Sequence, residues 1–368
     1  MRILLAVTAL GLAALLLRAA AADDAKPEPK GQEAAEPPAP KSPVGFVKGY
    51  TWGWVGRRGS YEGPEAAESM KHLAETGAEW VTLAFAAEME TKSTPRILYG
   101  AENDRLVTDA EIRRAIGLAR ASKLKVILKP VVNCRDGTWR AKIDFPGADG
   151  KPDPKAWAAW WESFEKFLVH YATIAAEGKC ELLCVGCEMI STERFVAEWR
   201  QTLAKVREVY KGPLIYNCNH GHEDIAWWDA VDVVGVSAYY PVGTEGDSSL
   251  EAMMASWQPL KEKLRNLSRK VNRPVMFIEI GVRSARGCYR CPADYWSKDL
   301  PYDGQEQARY YEAALRVFWD EPWFAGYSWW DWPARLHKKE QAESNLGFCV
   351  YGKPAEQVLR TWYAKERP

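Results

Sequence analysis

From Val47 to Trp332 the chain alternates short apolar runs with longer amphipathic ones. The strand candidates fall at 47–54, 80–89, 125–133, 182–189, 213–219, 231–240, 274–281 and 324–332. Several are apolar almost throughout, as in Val231-Asp232-Val233-Val234-Gly235-Val236, which is the pattern of parallel strands covered on both faces. Between them lie helical periods. The clearest is 155–177, where Trp157, Trp160, Trp161, Phe164, Phe167, Leu168, Tyr171 and Ile174 recur at spacings of three and four. Thr108-Asp109-Ala110-Glu111 opens another with a capping box, and 192–210 and 305–318 fit equally well. Eight strand–helix units predict an α/β chain folded as one (β/α)8 TIM barrel over residues 45–366. The rival is an open doubly wound sheet, which carries a glycine-rich phosphate loop after its first strand. Gly49-Tyr50-Thr51-Trp52-Gly53-Trp54 is not such a loop.

The residues before the barrel read differently. Arg2, the apolar run from Ile3 to Leu17 and the small residues Ala20-Ala21-Ala22 predict a secretory signal peptide over 1–22. Arg18 is unusual so near a cleavage site, so an uncleaved anchor is the alternative. Residues 23–44, rich in Ala, Pro, Glu and Lys, predict a solvated linker. The mature chain is expected to be a secreted or periplasmic monomer that does not enter the membrane. In that oxidising setting Cys288-Tyr289-Arg290-Cys291 is expected to close a local loop disulfide, while Cys184, Cys187 and Cys218 are expected to be buried thiols.

Charge excludes one class of partner. With 49 Lys+Arg against 49 Asp+Glu the chain is formally neutral, unlike a nucleic-acid binder with its basic stripe. Tryptophan is the unusual component, at 18 residues against 10 Phe. A wide flat apolar ring with one N–H donor suits either a thick core or a surface for sugar rings. Helix-borne Trp157, Trp160, Trp161, Trp199 and Trp319 are expected in the core. Trp52, Trp54, Trp139, Tyr239, Tyr240, Trp329, Trp330 and Trp332 stand at strand ends, where a barrel places its chemistry, and are expected to face the mouth.

Two carboxylates stand at the same level. Glu188 closes Leu182-Leu183-Cys184-Val185-Gly186-Cys187, and Glu279 closes Pro274-Val275-Met276-Phe277-Ile278. A carboxylate ending an apolar strand is costly to bury and needs partners; a salt bridge to a loop arginine such as Arg283 would be the structural explanation. Two of them, on the fourth and seventh strands, match the pair of carboxyl groups that flanks the scissile bond in glycosidases. His220 and His222 follow strand five, but with five His in the chain and no ligand cluster at other strand ends, no metal and no cofactor is expected.

The chain resembles glycoside hydrolase family 113, the β-mannanase family of the retaining (β/α)8 clan. The resemblance rests on Leu128-Lys129-Pro130 with Trp139-Arg140, on Val185-Gly186-Cys187-Glu188, and on Glu198-Trp199-Arg200 with Val206-Arg207. It continues through Tyr210-Lys211-Gly212-Pro213, Gly235-Val236-Ser237-Ala238-Tyr239-Tyr240-Pro241, Glu279-Ile280-Gly281 with Arg283-Ser284, and Gly352-Lys353-Pro354-Ala355. It implies a retaining hydrolase, first an endo-β-1,4-mannanase, with Glu188 as acid/base and Glu279 as nucleophile. It also implies a strand-six tyrosine that orients the nucleophile and a strand-eight tryptophan under the reacting sugar. Tyr239 is the better candidate for the first, because Gly235 and Ser237 share its side of the strand. Trp330 is taken for the second, and Trp52, Trp139, Arg140, Asn219 and Lys129 complete the expected substrate contacts with β-mannan or a related neutral polysaccharide. Four positions depart from the pattern: Cys187 where the clan usually has Asn, Val131 for His, Ser237 for Asp, and Val282 for an aromatic. They leave open another β-glycanase or exo-β-glycosidase, and outside catalysis a carbohydrate-binding protein.

Overall fold

Eight parallel strands close into a barrel in chain order, with β8 returning to pair with β1. They are β1 (Val47–Trp52), β2 (Trp80–Met89), β3 (Lys125–Cys134), β4 (Leu182–Cys187), β5 (Leu214–Asn219), β6 (Val233–Ser237), β7 (Val275–Ile280) and β8 (Phe324–Trp332). The computed structural model describes residues 38–367, so the expected signal peptide and most of the expected linker lie outside the described residues. No helix among the described residues is long and apolar enough to cross a membrane.

Each strand is buried on both faces, for two different reasons. Val47, Trp80, Ile127, Leu182, Cys184, Ile215, Val233, Met276, Ile278 and Ala325 fill the barrel interior. The alternate residues, among them Val81, Val126, Leu183, Val234 and Phe277, pack against the surrounding helices. This double burial is why the strands read as continuous apolar runs.

Seven α-helices occur among the described residues: α1 (Pro64–Glu75), α2 (Asp109–Ala121), α3 (Pro154–Glu177), α4 (Val196–Val209), α5 (Leu250–Val271), α6 (Gly304–Phe318) and α7 (Pro354–Tyr363). The capping box of α2 forms: Glu111 N–H donates to the Thr108 hydroxyl, and the Glu111 carboxylate accepts from Thr108 N–H. The unit that departs from expectation is the fifth. Between β5 and β6 the chain makes only one 3₁₀ turn, Trp228–Ala230. Two tryptophans fill the space instead. Trp227 stacks on Trp199 of α4 with centroids 4.5 Å apart and donates to the Glu193 carbonyl, while Trp228 donates to the Glu223 carbonyl.

Two irregularities shape the mouth of the barrel. The pairing register shifts between Cys184 and Cys187 on β4, and again where Ser237 meets Glu279 on β7. A bulge re-aims the side chains beyond it. On β7, Ile278 already points into the barrel, so strict alternation would send Glu279 outward to the helices. The bulge turns it inward.

Candidate active site

Glu279 is the most heavily bonded side chain at the mouth. Its Oε1 accepts from the Lys129 ammonium, from Asn217 Nδ2 at 3.1 Å and from the Cys187 thiol at 3.4 Å. Its Oε2 accepts from the Tyr239 hydroxyl at 3.1 Å. These donors come from β3, β5, β4 and the end of β6, so the barrel itself sets the geometry. Asn217 is oriented in turn by the Ser237 hydroxyl, which donates to its Oδ1 at 3.2 Å.

Burial pushes the Glu279 carboxyl up, but the Lys129 charge and its hydrogen bond outweigh that and hold it below the usual carboxylate range. The same pair acts on Lys129 with the opposite sign. Burial works against its ammonium, while the Glu279 carboxylate and its hydrogen bond act the other way, and its pKa is raised. The Cys187 thiol contributes no charge here, because burial pushes its pKa well above the ordinary value and keeps it protonated. Glu279 is therefore an ionised carboxylate in a dry setting, which suits a nucleophile rather than an acid.

Glu188 is built differently. It is the first residue after β4 and sits in the left-handed region, at φ 52°. A non-glycine residue pays a steric cost there and stays only when its surroundings fix it. They do: Glu188 N–H donates to the Asn217 carbonyl at 2.7 Å, and Met189 N–H donates to the Tyr216 hydroxyl at 3.1 Å. The turn aims the carboxylate at the loop after β3, where Oε2 accepts from Trp139 Nε1 and Arg140 Nη1, both at 3.2 Å. No hydrogen bond falls on Oε1 among the described residues. The Arg140 charge acts on both Glu188 and Glu279, which places the two carboxylates in one site.

The structure brings together Glu188, Glu279, Tyr239, Trp139, Arg140 and Lys129 of the expected set. Asn219 closes β5 on the interior face, two residues beyond Asn217, and Trp330 is half-buried with its ring 5.4 Å from Trp54. A Cβ at Gly281 would meet the Trp330 carbonyl oxygen, so glycine there lets β8 approach the end of β7. Trp52 is a correction. It is fully buried on the helix side of β1, donates its indole N–H to Ser69 of α1 at 3.1 Å and packs on Tyr61. Thr51, its neighbour, is the residue that faces inward, hydrogen-bonded to Ser328. Trp329 and Trp332 are also core: Trp329 stacks on Tyr311 at 4.2 Å, and Trp332 donates to the Ser69 carbonyl. Tyr240 turns away to Glu223 and Trp257. Arg283 pairs with neither glutamate, donating to the carbonyls of Leu346 and Ser297. The expected Cys288–Cys291 bridge is absent: both thiols are free, Cys288 buried in the 3₁₀ turn Cys288–Arg290 and Cys291 exposed after it.

Two residues of the site escape the sequence reading, Asn217 as a direct partner of Glu279 and Ser237 as the partner of Asn217. The interior parity of β5, shared with Asn219, is the signal that could have found the first.

The family model for Glycoside Hydrolase Family 113 matches residues 50–353 of the chain. Among solved structures, a β-mannanase of that family from Alicyclobacillus acidocaldarius in complex with ManMIm is 43% identical. That match covers 87% of this chain and 97% of that one, with a TM-score of 0.79. A second family-113 β-1,4-mannanase is 34% identical over 88% of this chain and 100% of its own, with a TM-score of 0.78. A β-glucuronidase from Ruminococcus gnavus, 12% identical, covers 86% of this chain and 50% of its own with a TM-score of 0.58, and shares the fold alone. No curated protein matches the chain.

Proposed function

The chain belongs to glycoside hydrolase family 113, and on that premise we propose that it is a retaining endo-β-1,4-mannanase with Glu279 as nucleophile and Glu188 as acid/base. The observation that carries the assignment is the asymmetry of the two carboxylates. Both are buried and charge-paired, Glu279 to Lys129 and Glu188 to Arg140, but four donors engage both oxygens of Glu279, whereas the two donors to Glu188 fall on Oε2 alone.

The chemistry follows from that asymmetry. Three donors crowd Oε1 of Glu279 and one touches Oε2, so Oε2 keeps a lone pair for attack on the anomeric carbon. As the C1–O bond to Oε2 forms, the bond to the leaving sugar breaks and Glu188 gives its proton to the departing oxygen. The Glu279 negative charge is spent in that bond, which removes its attraction for Lys129, Asn217 and Tyr239. These donors are ready for the carboxylate when it leaves again. In the second half, Glu188 takes a proton from water, the water oxygen attacks C1, and Glu279 departs as carboxylate. Two inversions leave the anomeric configuration as it began.

A neutral mannan fits the chain's zero formal charge, and the two mannanases of the family support the sugar. We also propose export, with residues 1–22 removed and 23–44 a tether, because a polymer too large to cross a membrane must be cut outside it. The test is a panel of purified polysaccharides. Reducing-end release should be fastest on β-1,4-mannan, at least tenfold above cellulose-type β-glucan and xylan, with internal cleavage visible as an early fall in viscosity. A faster rate on glucan or xylan would reassign the substrate.

A further inference from the structure

Two large aromatic side chains at the barrel mouth take no part in the catalytic site. Tyr295 is 80% exposed and Trp296 is 58% exposed, side by side in the loop from Gly281 to Asp303 that joins β7 to α6. Large apolar side chains this open to water cost free energy unless something covers them. The four exposed large hydrophobics among the described residues are Trp139, Val209, Tyr295 and Trp296. All three aromatics of that set lie on loops that follow strands, the face on which a barrel carries its site. Trp139 already touches Glu188.

The loop is long, and it is braced. Arg283 donates to the Ser297 carbonyl at 2.9 Å and to the Leu346 carbonyl at 3.2 Å. The Asp294 carboxylate accepts from the backbone N–H of Trp296 and of Ser297, at 3.0 and 2.8 Å. The Tyr289 hydroxyl donates to the Thr244 carbonyl at 2.8 Å, and Arg290 pairs with Glu245, tying the loop to the one after β6. Ala285 bridges Tyr302 across the base. The two rings meet edge to face at 5.2 Å, which holds one flat face free of the other. A preformed, exposed aromatic corner loses little side-chain entropy when a ligand lands on it.

We propose that Tyr295 and Trp296 form a distal platform for the same polysaccharide, holding sugar units well removed from the bond being cut. The occupant is argued from three features. The loop follows β7, whose penultimate residue is Glu279, so the platform lies on the barrel face that carries the site. The rings present apolar faces with a phenol O–H and an indole N–H, which complement the C–H faces and hydroxyls of a pyranose. The loop mixes charges of both signs, and its exposed Arg286 and Arg290 are paired with Asp303 and Glu245, which does not favour a polyanionic ligand. The proposal rests on the glycanase reading of the site and extends it from bond cleavage to the grip on a long chain.

The test compares polymer with short substrate, because only the polymer can reach both places. Wild type, Trp296→Ala, Trp296→Phe and the Tyr295→Ala/Trp296→Ala double variant are assayed on soluble β-1,4-mannan and on mannotetraose. The double variant should show a KM for the polymer at least fivefold higher, with kcat and KM on mannotetraose within a factor of two. Trp296→Phe should recover most of the polymer affinity. Melting temperatures within 2 °C of wild type would show that the loop has kept its fold. Equal effects on polymer and tetramer, or no effect on either, would overturn the platform. If wild type cuts a different β-glycan, the same ratio is read on that polymer and its tetramer, so the sugar assignment can fail while the platform stands. If wild type cuts none, both readings fall.

Discussion

Replacing Glu279 by alanine is expected to lower kcat on β-1,4-mannan by about 10⁴- to 10⁶-fold, the scale on which loss of a covalent nucleophile is felt. Each factor of ten is about 1.4 kcal/mol of transition-state stabilisation, so the group is being asked for some 5–8 kcal/mol. The variant also leaves the Lys129 ammonium buried without its carboxylate, so a lower melting temperature is expected. Glu279→Gln keeps the volume and an acceptor oxygen and separates the two effects: its loss of turnover should be comparable with less loss of stability. Azide supplies the decisive readout. Placed where the carboxylate was, it would displace an activated leaving group in one step, so the glycosyl azide should have inverted configuration. Near-normal turnover of an activated mannoside by Glu279→Ala would remove the residue from the mechanism.

Lys129→Met should produce the second large effect, and its sign follows from the pairing. In the wild type, Lys129 holds the Glu279 carboxyl below the ordinary value of about 4.3. A carboxyl depressed on folding contributes stability that is present above its unfolded pKa and lost as pH falls through its folded one. Without Lys129, burial is no longer offset and Glu279 rises. An opposite charge at contact distance is worth about 1–3 pH units. The acid limb of kcat/KM, which reports the free enzyme, should therefore move up by at least about one unit. Breaking a buried pair by removing one partner typically costs about 3–5 kcal/mol, so the variant should also melt earlier. An unmoved acid limb would mean that Lys129 does not set the charge of Glu279.

Much of the fold is readable in the residues, for definite reasons. Parallel strands buried on both sides leave long apolar runs, so 80–89 and 324–332 coincide with β2 and β8 to the residue. The capping box at Thr108 is local chemistry and forms as the motif predicts. Tyr239 is separable from Tyr240 because the side shared by Gly235 and Ser237 is kept two residues past the end of β6.

Nearness to a strand end is a poor guide to the face a tryptophan takes. By nearness alone Trp52, Trp329 and Trp332 belong at the mouth, yet each lies on the helix side of its strand. Other features are hidden by their nature. Ile278 and Glu279 face inward one after the other only because β7 bulges, and no periodicity predicts a bulge. The left-handed turn at Glu188 likewise depends on bonds from Asn217 and Tyr216, both distant in sequence. The missing helix after β5 is hidden because the count of eight strand–helix units supplies one there, where Trp227 and Trp228 fill the space instead.

The central claim, a double displacement on β-linked mannan, is tested most directly by following the anomers released from β-1,4-mannohexaose by proton NMR from the first minutes of digestion. Internal cleavage is expected, with β-anomeric reducing ends appearing first and relaxing to the equilibrium mixture by mutarotation. First appearance of the α-anomer would mean single displacement with inversion, and would contradict the roles given to Glu279 and Glu188.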